Sequence, residues 1–498
     1  FPLGISMVTS NSMFKPSVNQ PQSSGSGWLC GCLDGYCSYL GNHEGISMHR
    51  TSMGPIVSAT AALVAAVAFL SAGCAPAGPS PSAAPTAAPV EAATASVPAQ
   101  AAGNPVTEAQ VEQLWRPVAG GAATGEYTAW GVVVDAQTGE ILLDEDAAIG
   151  HTPASTTKTL AAFSALTHLD PTDTLETSAQ LSGDERTLYL DSEGDLLLGA
   201  GASDETDVSG RAGLGTLAAN TASALSDRGI TSVTLNWRGT LFEGATHLPS
   251  WDAQEVGGYE GHVGPMAIDA GRTSPGAFDF HADAPGYVAQ VFAQALTSAG
   301  VAVTMGQAGE PPAGAQTVAS VSSATMGDQL RWMLAHSDNT LADQYCRLAA
   351  GAAGQPTTYA GAIATIKADL LQAGIPTSGM ILEDCSGLST NDKLSANTLV
   401  GVLKASYGAR GNQAELIRLL PWAGLVGTLS QRMLDEPAVG NVQAKTGALQ
   451  NVTALSGSVK TKSGRVLLVV VGHDLVEGGA LPTRWRLDNF EEGLAELD

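Results

Sequence analysis

Three short strings, each far from the others along the chain, have to meet in any fold that uses them together: Ser155-Thr-Thr-Lys158, Ser337-Asp-Asn339 and Lys445-Thr-Gly447. Their residue types are those of an acyl-transfer site. A serine hydroxyl is too weakly acidic to attack an amide unaided, so it needs a base within hydrogen-bond reach and donors aimed at the oxyanion that forms. Residues 155–169 carry apolar side chains at helical spacing, which predicts that Ser155 opens a helix and Lys158 lies one turn on, on the same face. Lys158 acts as a base only as a neutral amine, which calls for a desolvated site or a neighbouring cation, and Lys445 is the candidate for that cation. The N-terminus of the predicted helix also turns backbone N–H groups toward an oxyanion at Ser155.

None of the strings is decisive alone. Ser12-Met-Phe-Lys15 also fits the first pattern, and Ser17, Ser389 and Ser395 each open a further Ser-x-Asn. Taken singly, Ser337-Asp-Asn339 reads as a helix cap and Lys445-Thr-Gly447 as a strand end with a turn glycine. Order and context change that reading. Lys-Thr-Gly occurs once, followed by apolar runs over 452–459 and 466–472, the pattern of an edge strand and the next strands of an antiparallel sheet.

The ordered set S-x-x-K, S-x-N, K-T-G is the signature of penicillin-binding proteins and serine β-lactamases. Ser337 lies 182 residues beyond Ser155, and Lys445 a further 108 beyond Ser337. The first interval is much longer than in the compact β-lactamases. From about Trp130 to the C-terminus the chain therefore resembles the class C low-molecular-mass penicillin-binding proteins, D-alanyl-D-alanine carboxypeptidases and endopeptidases of the penicillin-binding protein 4 type. Supporting strings are Val132-Val-Val-Asp135 with Thr138-Gly-Glu140, Pro153-Ala154, Asp384-Cys-Ser-Gly-Leu-Ser389, and Leu420-Pro421, Gly424 and Gly427-Thr-Leu429 with Arg432. Thr390 and Asp392 stand where the family usually has Arg and Asn, and residues 199–204 replace a more regular glycine string.

The resemblance implies an α+β transpeptidase domain, an antiparallel sheet with helices on both faces, formed by residues 106–171 and 274–498 and split by a β-rich insert over 172–273. It implies an attack by Ser155 on a peptidoglycan stem peptide, with Lys158 as base and Ser337 relaying the proton to the leaving group. Asn339, Lys445, Thr446, Gly447 and Ala448 would bind substrate, the Ser155 and Ala448 N–H groups holding the oxyanion. β-Lactam antibiotics would inhibit, and neither cofactor nor metal is called for. A serine β-lactamase and a catalytically silent wall-binding protein are the competing readings. Class A β-lactamases deacylate with a Glu in a Glu-x-x-Leu-Asn loop, and Glu383, Glu415 and Glu436 do not stand in that pattern.

Charge excludes some partners. Lys and Arg total 23 against 48 Asp and Glu, a net charge of −25, which disfavours nucleic acid. Met48-His-Arg50, an apolar run over 56–70 and Ser71-Ala-Gly-Cys74 read as a secretory signal over 48–73 ending in a lipobox, with Cys74 lipidated and Ser71 where Leu is usual. Residues 1–47 are expected to be a non-native upstream extension; their Cys30, Cys32 and Cys37 have no fourth ligand at a sensible distance and make a poor zinc site. Residues 74–105, nearly all Ala, Pro, Gly, Ser, Thr and Val, read as a tether that holds the enzyme at the outer face of the membrane. The first folded element is expected near Thr107, which has capping-box spacing to Gln110. Cys346 and Cys385, the pair left in an exported domain, are expected to form a disulfide.

Overall fold

The computed structural model describes residues 103–498. The expectations for residues 1–47, the signal, Cys74 and nearly all of the tether lie outside the described residues. Helix α1 (Glu108–Ala119) opens with the capping box foreseen at Thr107 and Gln110, each side chain accepting from the other's backbone N–H. Strands β1 (Thr128–Asp135) and β2 (Ile141–Glu145) form a hairpin, and a 3-10 turn over Ala154–Thr157 leads into α2 (Lys158–His168).

The insert is larger than its sequence pattern suggests. It comprises β3 (Thr174–Leu181), β4 (Thr187–Ser192), α3 (Leu214–Ser226), β5 (Ser232–Trp237), α4 (Ala284–Ser298), β6 (Ala302–Ala308) and β7 (Gln316–Thr325). These strands form a sheet in the order β7-β3-β4-β5-β6, antiparallel on the β7 side and parallel across β4-β5-β6. Parallel neighbours need a crossover, and α3 and α4 supply the two. Leu217, Leu225, Phe292 and Leu296 from these helices pack on Leu188, Leu190 and Leu235. The expected return to the main domain at residue 274 is therefore corrected: α4, β6 and β7 belong to the insert sheet, which runs to Thr325. Strand β6 is exposed at nearly every position, so it carries no buried alternation by which a sequence reading finds a strand. Residues 246–272, in the middle of the insert, run back over the main domain, where Trp251 packs with Leu388.

Beyond the insert come α5 (Met326–His336), α6 (Asn339–Ala352), α7 (Tyr359–Gln372), α8 (Ala396–Tyr407), β8 (Val442–Leu449), β9 (Val452–Lys460), β10 (Val466–Asp474) and α9 (Arg484–Ala495). The main sheet has the order β8-β9-β10-β1-β2 and is antiparallel throughout. Both faces are covered. Trp130, Val132, Val134, Leu468 and Val470 face α2, α6 and α8, while Val133, Val469 and Val471 face α1 and α9. This two-sided burial explains why β1 and β10 read as continuous apolar runs instead of alternating ones. On the second face Trp115 of α1 meets Phe490 of α9 edge-on at 5.4 Å. The buried Arg465–Asp135 ion pair, 2.5 Å, ties the start of β10 to the end of β1, where Asp135 also accepts from the Gln137 and Thr138 N–H groups of the hairpin turn.

Cys346 of α6 is bonded to Cys385, 39 residues on, both fully buried. The bridge staples α6 to the 384–389 segment. Removing both sulfurs in a Cys346→Ala/Cys385→Ala variant is expected to lower the unfolding free energy in urea by about 4 kcal/mol, the chain-entropy value for a loop of this size. Alkylation without reductant should label neither cysteine, and label on both in the folded protein would contradict the bridge.

Candidate active site

Ser155 sits on a turn that the sequence strains on purpose. Ala154 has φ 48°, a left-handed conformation that alanine rarely adopts, and Ser155 alone among residues 151–160 is partly exposed. The two threonines of the string hold the turn: Thr156 Oγ1 donates to the Pro153 carbonyl at 2.7 Å and Thr157 Oγ1 to the Ala154 carbonyl at 2.9 Å. The expected single helix from Ser155 is a 3-10 turn that becomes α-helical only at Lys158. The one-turn relation survives, and Lys158 Nζ lies 3.0 Å from Ser155 Oγ.

Lys158 is fully buried and donates in three directions: to Ser155 Oγ, to Asn339 Oδ1 at 2.6 Å and to the Ser386 carbonyl at 2.8 Å. Burial, the dominant influence, pulls its pKa down to about 8, against the upward push of the Glu260, Asp384, Asp343 and Asp338 carboxyls. Of the two expected causes, desolvation is the dominant one, and the charged groups acting most strongly on Lys158 are acids and not the candidate cation Lys445.

The second string is a helix junction. Ser337 ends α5 in the left-handed region, φ 56°, and Asp338 caps α6 by accepting the Leu341 N–H. The helix-cap reading and the functional one thus hold together. Asp338 is also ion-paired with Arg272 of the insert at 2.7 Å. Asn339 accepts from Lys158 and donates its Nδ2 to the Tyr259 carbonyl at 2.9 Å.

The third string lies on β8, an edge strand as expected. Lys445, fully buried, donates to Ser337 Oγ at 2.9 Å and to the Thr446 carbonyl at 2.8 Å, while Thr446 Oγ1 donates to Thr428 Oγ1 at 2.9 Å. The free side of β8 is covered only at its start, where Ala423 N–H donates to the Val442 carbonyl and Ala444 N–H to the Pro421 carbonyl. By strand alternation the backbone groups of Thr446 and Ala448 face the same way. Gly447 is required by closeness: a Cβ there would stand 2.7 Å from the Pro153 carbonyl oxygen, against the Ser155 turn. Gly387 abuts the same turn from the other side, with φ 76° and a Cβ position 1.9 Å from the Ala154 carbonyl oxygen.

All three strings therefore meet, Ser155 and Asn339 through Lys158 and Ser337 through Lys445. With that geometry in place, comparison with known proteins is specific. The model of the D-Ala-D-Ala carboxypeptidase 3 (S13) family matches residues 121–279 and 279–485. The chain belongs to the S13 family. It is 34% identical over 365 residues to carboxypeptidase DacB of Mycolicibacterium smegmatis, covering 71% of this chain and 77% of that protein. A carboxypeptidase of Mycobacterium tuberculosis is 33% identical over 350 residues, covering 68% and 74%. Penicillin-binding protein 4 from Haemophilus influenzae shares the fold, with a TM-score of 0.61 at 19% identity over 77% of this chain and 98% of that one.

Several residues that hold this S13 site together carry no readable signal in the sequence. Ser386 contributes a carbonyl, which any residue possesses. Glu260 and Arg272 lie on the insert, far along the chain from every string they support. Asp384 accepts from the Ser386, Gly387 and Ser389 N–H groups and from Trp251 Nε1, which explains the acid at the head of its string. Asp343, Cys346 and Cys385 are the described residues close enough together to suggest a cation site, but both sulfurs are consumed by the disulfide. Because the neutral form of Lys158 is populated above about pH 8, acylation that uses it as base should slow roughly tenfold for each pH unit below that value. Rates of penicillin acylation measured from pH 5 to 9 check this, and a flat profile down to pH 6 would remove Lys158 from the role.

Proposed function

We propose that this S13 enzyme is a serine D-alanyl-D-alanine carboxypeptidase acting on peptidoglycan stem peptides through an acyl-enzyme on Ser155. The observation that carries the reading is the 3.0 Å contact between Ser155 Oγ and a lysine whose desolvation favours its neutral form. Ser155 Oγ attacks the carbonyl between the two terminal D-alanines while Lys158 takes the hydroxyl proton. The Ser155 and Ala448 N–H groups receive the oxyanion. As the C–N bond breaks, Ser337, hydrogen-bonded to Lys445, passes a proton to the departing D-alanine nitrogen. Water then cleaves the ester, releasing the shortened peptide as a carboxylate and restoring the Ser155 hydroxyl. Lys445 and Thr446 hold the terminal carboxylate, and Asn339 meets the amide next to the scissile bond.

With a cross-linked peptide as acyl donor, the same steps amount to endopeptidase cleavage. A β-lactamase reading needs a base for fast deacylation. Glu383 is bonded to Ser250, Gln254, Ser389 and Asn391, and Glu415 to Arg418 at an exposed position, and none of these contacts involves Ser155 or Lys158. A fluorescent penicillin is expected to label the enzyme stably and the Ser155→Ala variant not at all, and D-alanine release from a pentapeptide should vanish in that variant too. Rapid turnover of the label would favour a β-lactamase, and no label a silent binding protein.

We further propose that the enzyme is exported and held at the outer face of the membrane by a lipid on Cys74. The support is in the sequence: the basic start, the short apolar run and Ala72-Gly-Cys74, followed by a tether of small residues. Metabolic lipid labelling should disappear in Cys74→Ala, and label that persists would overturn the anchor.

A further inference from the structure

Behind Lys158 lies a set of buried carboxyls that the three strings do not account for. Glu260, 2% exposed, receives the Ser386 hydroxyl on Oε2 at 3.4 Å, and no donor reaches its Oε1. Asp343, fully buried on α6, accepts the Cys385 N–H at 2.9 Å on Oδ1, and no donor reaches its Oδ2. Two adjacent buried carboxyls with one partnerless oxygen each are satisfied together if a single proton lies between them. The backbone N–H of Cys385 on Asp343 and the hydroxyl of the next residue, Ser386, on Glu260 bring the two carboxyls to the same segment. Glu260 is also held by the site it faces, since Tyr259 accepts from Asn339 Nδ2, Gly261 N–H donates to Thr340 Oγ1 and Gly264 N–H to Gln344 Oε1. Ser386 links it to the amine, giving its hydroxyl to Glu260 and its carbonyl to Lys158.

Charge decides which state the pair adopts. Asp384 accepts from four donors: the Ser386, Gly387 and Ser389 N–H groups and Trp251 Nε1. The other groups acting here are Lys158 of α2, Asp343 and Arg347 of α6, Tyr359 of α7, Asp392 of the 384–392 segment, and Asp338 toward Lys158. Each of these carboxyls that ionises pushes the Lys158 pKa upward and disfavours the neutral amine that Ser155 needs.

We infer that Glu260 is a positioning residue for Lys158: it remains a carboxylic acid, shares its proton with Asp343, and so limits that pair to one negative charge behind the amine. The inference rests on Lys158 being the base for Ser155. Asp343 accepts a backbone N–H at 2.9 Å whereas Glu260 accepts only a hydroxyl at 3.4 Å, so the negative charge rests on Asp343 and the proton on Glu260; burial, reinforced by the Asp343 and Asp384 charges, also pushes the Glu260 carboxyl well above its usual range.

The test is the pH profile of penicillin acylation in the full-length enzyme. Asp343→Asn removes the pair's one charge, and the acid limb should move down by about one pH unit. Glu260→Gln replaces a neutral acid by a neutral amide, and its acid limb should stay at the wild-type position. A downward shift in both variants, or in neither, would overturn the inference. Glu260→Ala should acylate slower by about tenfold or more at every pH, as expected when a reacting group is misplaced, with recovery in Glu260→Gln; a wild-type rate in Glu260→Ala would also overturn it. If Glu260→Ala does not fold, the paired limbs of Glu260→Gln and Asp343→Asn still decide. The wild-type and Ser155→Ala enzymes run alongside, and failure of wild type to acylate at all would strike the underlying mechanism instead.

Discussion

A lysine head group cut off from water must find acceptors for its protons, and Lys158 finds them on three separate segments: the Ser155 turn, the first residue of α6 and the Ser386 carbonyl. Desolvating a charge of this size costs several kcal/mol unless it is compensated, so these segments cannot drift apart without exposing the cost. The same burial that demands the contacts also draws the amine toward its neutral form. Position and reactivity therefore have one cause. The Cys346–Cys385 bridge reinforces it by joining two of the three segments covalently.

The main sheet brings the remaining residues to that hub. Because both of its faces are buried, its register is strongly specified: a slip of one residue would exchange the helix-facing side chains of β1 and β10 for those facing α1 and α9. Register places Lys445 against Ser337 and Gly447 against the Pro153 carbonyl. The edge position of β8 leaves backbone groups beyond Lys445 unpaired by a strand, which an interior strand could not offer to a peptide.

The insert contributes to the site as well as to the chain's size. Its own sheet and helices form a separate apolar core, but residues 246–272 cross to the main domain. There Trp251 donates to Asp384, Arg272 pairs with Asp338 and Glu260 meets Ser386. Each of these contacts supports a group next to Lys158 or Ser337 without offering a group of its own to the substrate. A compact domain with the same three strings would have to satisfy those acids in another way.

The sequence by itself determined the reacting groups and most of the elements that carry them. Ser155 and Lys158 were legible because a helical turn brings residues three apart onto one face, a local rule that needs no knowledge of the rest of the chain. The capping box at Thr107 and the strands after Lys445 follow from equally local patterns. Tertiary structure alone decided the extent of the insert, since β6 is exposed and unpatterned, and the cause of the low Lys158 pKa, since burial is a property of everything packed around a residue. It also decided which acids lie behind that lysine: Glu260 precedes Asp343 by 83 positions and Asp384 by 124. Charges separated by such intervals interact only after folding has removed the water between them, and no periodicity in a chain records that event.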